Sequence, residues 1–309
     1  MDMAGSSANH GSVVVITGAS SGIGLATALA FARRGAQLVL AARQAGPLVE
    51  AARACEALGA EALGIPTDVT DEASVQALAR AAVSRFGRID VWVNNAAVLL
   101  FGAVADTPTE VWKHVVETNL YGYLHGARAV LPVFLSQGRG ILINNASGWG
   151  LVGAPFVSSY VSSKFAILGL SESLRLELEP YPDIHVCAVL PPSVNTPIYL
   201  RAGNMTGHEV GPVPGVYDPA QVAEIMVDLA ERPRARRSVG AAGMLLSVLA
   251  RLSPELAARL MNTLTRRFSI RPALAPVTLG NLFEPKPPHA SRGGYHWLGI
   301  RRGGRGTRL

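Results

Sequence analysis

Short apolar runs alternate along this chain with longer stretches in which apolar residues recur every three or four positions. Residues 13–16 read Val-Val-Val-Ile, a β-branched run that favours a strand; 17–24 form a Gly/Ser turn, and 25–34 carry a helical pattern. The alternation continues, with strands predicted over 37–42, 62–66, 90–93, 140–144 and 184–190 and helices over 48–58, 72–86, 110–135 and 159–178. Repeated strand–helix units pair their strands in parallel, because the crossover helix returns the chain to the same edge. The predicted fold class is therefore α/β, a doubly wound parallel sheet with helices on both faces.

The hydrophobic pattern also sets the organisation outside that unit. Residues 12–32 carry no charge, yet the turn at 17–24 interrupts them, so strand, loop and helix is the reading rather than a membrane span. Beyond residue 240 come an apolar stretch to Leu252, then Ser253-Pro254 as a helix start and a stripe of Leu256, Leu260, Met261, Leu264 and Phe268. We divide the chain into a flexible 1–11, a main domain 12–240, an amphipathic helical extension 241–268 and a Pro/Gly-rich basic tail 269–309. The tail has no apolar period and is expected to run over the surface or to be disordered near its end. The extension reads as a substrate lid or subunit contact, because apolar stripes usually mean burial. Arg251, Arg259, Arg266 and Arg267 leave peripheral contact with an anionic membrane as its alternative.

Composition narrows the function classes. With 309 residues, 49% apolar and 16% charged, the chain can bury a large core. Its net charge of +6 leans on Arg292, Arg301, Arg302, Arg305 and Arg308 in the tail, so no nucleic-acid partner is inferred. Cys55 and Cys187 form no CxxC pair, and the start of the sequence has no signal-peptide pattern; both point to the cytoplasm. The seven histidines form no HExxH-like cluster, and no metal is expected.

In a doubly wound sheet, ligands bind beyond the carboxyl ends of the strands. The turn Thr17-Gly18-Ala19-Ser20-Ser21-Gly22-Ile23-Gly24 follows the first strand and opens a helix, whose free N–H groups and positive dipole end can hold a pyrophosphate. This is a Rossmann-type arrangement. The second strand ends Ala41-Ala42-Arg43, with no acid to bind a ribose 2′-hydroxyl. Arg43, with Ser20 beside it, suits a 2′-phosphate, so NADP(H) is favoured over NAD(H). Tyr160 and Lys164 lie four apart on a predicted helix, on one face, where the ammonium can favour the phenolate of a base whose free pKa is about 10. Ser147, thirteen residues before Tyr160 and just after the fifth strand, offers a hydroxyl to the reacting oxygen.

These segments resemble the classical short-chain dehydrogenase/reductase family. The turn matches its TGxxxGIG, with Gly18, Ser20, Ser21, Gly22, Ile23 and Gly24 in the cofactor-binding loop; Ser147, Tyr160 and Lys164 match its catalytic Ser/Tyr/Lys set. The resemblance covers residues 12 to about 240. It implies that Asp68, followed by Val69, faces the adenine, that Asn95 belongs to the family's NNAG loop, and that Asn119 holds a water in the proton relay to Lys164. It further implies that Pro191, Val194 and Thr196 meet the nicotinamide end. Ala97 and Pro192 stand where the family has glycine. The mechanism implied is hydride transfer between nicotinamide and an alcohol or carbonyl carbon, with Tyr160 as acid/base, Ser147 orienting the oxygen and Lys164 anchoring the ribose. Trp149, Leu151, Phe156 and the loop 197–217 are mostly apolar, so a hydrophobic alcohol or ketone is expected as substrate. The resemblance also implies a homodimer or homotetramer through helices 110–135 and 159–178. A catalytically silent dinucleotide-binding scaffold is the alternative; an extended epimerase or dehydratase would need a larger domain after the cofactor fold.

Overall fold

The computed structural model describes residues 11–301. In chain order its elements are β1 (Val13–Thr17), α1 (Gly22–Ala32), β2 (Gln37–Ala42), α2 (Ala45–Glu56), β3 (Ala62–Pro66), α3 (Glu72–Phe86), β4 (Val91–Asn94), β5 (Leu100–Phe101), α4 (Thr109–Val116), α5 (Gly122–Gln137), β6 (Gly140–Asn145), α6 (Ser158–Glu177), β7 (Ile184–Leu190), β8 (Gly203–Asn204), β9 (His208–Val210), α7 (Pro219–Glu231), β10 (Arg236–Ser238), α8 (Gly240–Leu252), α9 (Pro254–Leu264) and β11 (Ile270–Leu274).

Seven strands form one sheet in the order β10-β7-β6-β4-β1-β2-β3, and every neighbouring pair is parallel. The Rossmann-type prediction holds, with β10 added: three residues are too short for a periodic signal. Alternation along the strands divides the core. Val14, Ile16, Leu38 and Leu40 face α1, α2 and α7, while Val15, Val39, Trp92 and Leu142 face α3 and α5. Strand order reverses between β1 and β4, which opens a crevice beyond their carboxyl ends.

The helix expected over 110–135 is interrupted. A π-helical turn at Glu117–Tyr121 separates α4 from α5; it carries Asn119 fully buried and sets Thr118 on the crevice. An extra residue in a helical turn re-aims a side chain that regular spacing would leave elsewhere.

The tail also departs from expectation. After α9 and a π turn at Thr265–Ser269, β11 pairs antiparallel with β9, and Thr278 bridges to Asn204. Residues 278–293 then cross back over the main sheet's crevice, with Leu282 fully buried and Tyr295 stacked edge-on to Tyr199 at 5.7 Å. Asn195 Oδ1 accepts from the Gly293 and Tyr295 amides, and Arg292 pairs with Asp218 at 2.6 Å. Single anchors and main-chain bonds hold this strap, which is why no apolar period announced it. Residues 1–10 and 302–309, including most of the predicted N-terminal segment and the end of the basic tail, lie outside the described residues.

Candidate active site

Two clefts meet above the carboxyl ends of β1, β4, β6 and β7. One is polar, about 1250 Å³ and open to solvent, and it is lined by nearly all the residues expected to bind a cofactor: Gly18, Ser20, Ser21, Gly22, Ile23, Arg43, Asp68, Val69, Asn95, Pro191, Val194 and Thr196. Gly24 lies just beneath, where a methyl group would run into the Gly18 carbonyl; Gly22 takes φ +56° and abuts Thr196. The turn is thus built to bring backbone, not side chains, to the cleft. Ala97, at the family's glycine position, has no positive φ, so its methyl costs nothing there.

A belt of buried amides fixes the strand ends. Asn95 Nδ2 donates to the Thr17 carbonyl at 2.9 Å, and Asn145 Nδ2 donates to Asn95 Oδ1 at 2.9 Å. Asn94 Nδ2 donates to Asn144 Oδ1, and Asn144 Nδ2 to Ser171, at 3.0 and 2.9 Å. The network ties the ends of β1, β4 and β6 in register and leaves Asn145 Oδ1 open toward the cleft. Asp68 faces the cleft in a turn in which its Oδ1 accepts from the Thr70 amide and hydroxyl. Asp71, not Asp68, caps α3.

Ser147, Tyr160 and Lys164 converge at the junction of the clefts. Ser147 accepts from the Trp149 amide at 3.1 Å and hydrogen-bonds the Tyr160 phenol, which draws that phenol's pKa down; burial outweighs this and pushes it up to about 12. Lys164 is fully buried on α6. Its Nζ donates to the Asn145 carbonyl at 2.8 Å and the Tyr123 hydroxyl at 3.3 Å, and it lies 5.4 Å from the Tyr160 ring centroid. Burial lowers its pKa to about 7. Asn119 is fully buried beside the same helix. Its Oδ1 accepts from the Val98 amide at 2.8 Å, and its Nδ2 donates to the Val98 carbonyl and to Ser163, so its side chain locks the loop after β4.

Tyr123 is the residue sequence reasoning missed. Its hydroxyl donates to the Asn145 carbonyl at 2.8 Å, sharing that acceptor with Lys164. Its position four after Asn119 was a usable signal, since both then face the same side of the helix.

The second cleft is apolar, about 980 Å³, and lined by Leu99, Trp149, Ile198, Tyr199, Val213 and Pro214 together with Leu245, Leu246 and Leu249 of α8 and Leu260, Met261 and Leu264 around α9. Trp149 stands edge-on to Tyr160 at 5.8 Å. Leu151 and Phe156, expected here, do not line it. Leu151 packs inward against the cluster of Tyr123, Ile167 and Leu168. Phe156 takes φ 65°, which turns its ring away to lie under the Arg266 guanidinium at 5.1 Å. Pro192 lines both clefts and packs against α8 at Gly243.

The polar cleft fits a dinucleotide by its unmet chemistry as well as its shape. Asn145 Oδ1, Arg201 Nε, Asn281 Oδ1 and His289 Nδ1 are buried there without a partner, and a buried polar atom without a partner costs about 1–3 kcal/mol. Among the described residues no cluster of His, Cys, Asp or Glu could hold a metal ion, and no helix is long and apolar enough to cross a membrane.

Comparison with known proteins agrees with this geometry. A family model described as short chain dehydrogenase matches residues 12–205. An uncharacterized oxidoreductase of Bacillus subtilis, YxnA, is 38% identical over 252 residues, covering 81% of this chain and 71% of the relative. A short chain dehydrogenase/reductase from Burkholderia phymatum, solved in complex with NAD, superposes with TM-score 0.72 at 29% identity, covering 81% of this chain and 96% of that one. An alcohol dehydrogenase from the archaeon Thermococcus sibiricus, complexed with 5-hydroxy-NADP, superposes with TM-score 0.65 at 28% identity over 74% of this chain and 95% of its own.

Proposed function

This chain belongs to the short-chain dehydrogenase family of oxidoreductases, and on that premise we propose that it transfers a hydride between NADP(H) and a hydrophobic alcohol or ketone, with Tyr160 as the acid/base. The observation that carries the reading is that Ser147, Tyr160, Pro192, Ile198 and Tyr199 line both clefts, so the phenol stands where a polar cofactor site and an apolar substrate site meet. The cofactor, when bound, supplies or accepts the hydride.

The protein's own groups handle the proton. In the reducing direction the Tyr160 phenol gives its proton to the substrate oxygen, and in the oxidising direction it takes that proton back. The Ser147 hydroxyl holds the same oxygen, and Lys164, once charged, favours the phenolate that remains. Gly18, Ser20, Ser21, Gly22, Ile23 and Gly24 would hold the pyrophosphate; Asp68, Val69 and Asn95 the adenosine side; Pro191, Val194 and Thr196 the nicotinamide side. Arg43 would take a 2′-phosphate, supported by its position in the cleft and by the lack of any acid at the end of β2. Asn119, whose side chain holds the loop after β4 and Ser163, would hold a water in the proton relay to Lys164.

The extension 241–268 is read as the substrate lid, because α8 and α9 supply one wall of the apolar cleft. Peripheral membrane contact is a second reading, favoured by the exposed Met244, Val248, Leu252 and Leu256 beside exposed Arg251 and Arg259. Pelleting with anionic but not neutral vesicles would support it. The cytoplasm is the proposed compartment, in keeping with two free, buried cysteines.

The test is a turnover panel with NADPH and NADH against lipophilic ketones and charged sugars, repeated with Arg43→Ala. NADPH-dependent reduction of the lipophilic ketones, with the NADPH preference lost in Arg43→Ala, is the expected result. Preference for charged sugars would overturn the substrate reading. Cofactor binding with no turnover on any substrate would favour a silent scaffold.

A further inference from the structure

Three basic side chains converge in the polar cleft without a direct ion pair to any of them among the described residues, while Asp68, on the same cleft, acts on Arg43 and Glu50 on His289 through space. Arg43, from the end of β2, is half-buried and donates to the carbonyls of Asn281, Leu282 and Phe283 at 2.7, 2.9 and 3.0 Å. Those carbonyls occupy three of its five N–H groups and bring no charge, and desolvation of the guanidinium outweighs the through-space pull of Asp68. Arg201, from the loop after β7, donates to the Ser21 hydroxyl at 2.8 Å, close enough to Arg43 for the two charges to repel, and its buried Nε has no partner. His289, on the strap that crosses the cleft, lies near Arg201 with a buried Nδ1 that likewise has no partner. All three line the same cleft as Ser20 and Ser21.

Two half-buried guanidinium groups beside one another repel, and an anion between them relieves that repulsion. The unpartnered Nε and Nδ1 are donors or potential donors facing that missing group, and oxygen-rich phosphate matches the forked geometry of arginine. We propose that Arg201 and His289 complete, with Arg43, a phosphate site at the adenosine end of the cofactor cleft, and that this phosphate is the 2′-phosphate that separates NADP(H) from NAD(H). The proposal rests on the reading of the cleft as a cofactor site. It adds two residues that neither the glycine turn nor the end of β2 supplies, and His289 lies well beyond the segment 12–205 matched by the family. The strap then serves recognition: it orients Arg43 through its carbonyls and brings His289 to the ligand.

The experiment measures dissociation constants for NADPH and NADH by nicotinamide fluorescence on the full chain, for wild type, Arg201→Met, Arg201→Lys, His289→Ala and Arg43→Ala. Charge-assisted hydrogen bonds to phosphate predict that Arg201→Met weakens NADPH about 10- to 100-fold and leaves NADH within about twofold. Arg201→Lys, which keeps the charge, should recover part of the loss, and His289→Ala should weaken NADPH alone by a smaller factor. NADPH and NADH weakened alike by Arg201→Met would overturn the assignment to the 2′-phosphate and point to the diphosphate both share. Unchanged binding of both would overturn the site altogether. The underlying reading fails separately, and takes the proposal with it, when wild type binds neither cofactor or when Arg43→Ala leaves a wild type without NADPH preference unchanged.

Discussion

Lys164 offers a test of the site's electrostatics that needs neither cofactor nor substrate. Its ammonium is buried against one carbonyl and the Tyr123 hydroxyl, and no carboxylate pairs with it among the described residues. Burial disfavours the charged form and lowers its pKa from 10.5 to about 7. Between those two values the unfolded chain binds a proton that the native protein does not, so stability rises with pH across that window and is flat below it. At about 1.4 kcal/mol per pH unit the fall is worth about 5 kcal/mol as a ceiling, and relaxation of the surroundings brings the expected effect to about 2–5 kcal/mol. Lys164→Met keeps the aliphatic stem and removes the titration. Urea unfolding of both proteins from about pH 6 to about pH 10 measures the difference. Cys55 and Cys187, pushed up to about 11 by burial, make stability fall as pH rises past 9.0, but they do so in both proteins and cancel on subtraction. The expected result is a stability difference that moves in favour of wild type by about 2–5 kcal/mol between about pH 7 and about pH 10. A difference that stays constant over the whole range would refute the reasoning, because a lysine that titrates alike in both states has not been desolvated by the fold.

Other substitutions probe the remaining parts. Tyr160→Phe should lower kcat about 100- to 10,000-fold with cofactor dissociation constants little changed, as removal of a general acid/base requires; a rate within tenfold of wild type would remove Tyr160 from the chemistry. Gly24→Ala should abolish dinucleotide binding or folding, because its methyl meets the Gly18 carbonyl, and isothermal titration with circular dichroism separates the two outcomes. Leu249→Lys puts a charge into the wall of the apolar cleft and should raise KM for lipophilic ketones at least about tenfold while the cofactor dissociation constant holds; an unchanged KM would mean that substrate lies elsewhere. Phe165 and Leu176 are exposed on α6, and Phe165→Glu should shift a homo-oligomer toward monomer in light scattering if this face joins subunits.

The legible parts of this protein are those whose partners lie close in sequence. Six of the seven sheet strands are apolar runs bounded by turns, and Tyr160 and Lys164 meet because four residues of helix bring them onto one face. Ser147 is legible for a similar reason, since it follows a strand and precedes the same helix at fixed spacing. The glycine turn is readable because only glycine tolerates the approach to the Gly18 carbonyl and the φ of Gly22. Asn119 sits at the border: its position was readable, but the π turn that aims its amide at the Val98 backbone depends on packing no spacing rule contains.

What the sequence hides is direction and distance. Leu151 and Phe156 are apolar and precede α6, but a left-handed φ at Phe156 and inward packing of Leu151 point both away from the cleft. The wall they were expected to form comes instead from α8 and α9, roughly a hundred residues later. Arg201 and His289 are harder still. Arg201 looks like any loop arginine until Ser21 and Arg43 are brought beside it, and His289 lies in a Pro/Gly-rich stretch whose hold on the cleft is made by main-chain carbonyls and one buried leucine. Main-chain hydrogen bonds carry no residue-specific signature, so a strap built from them can close a site without leaving a pattern for sequence reading to find.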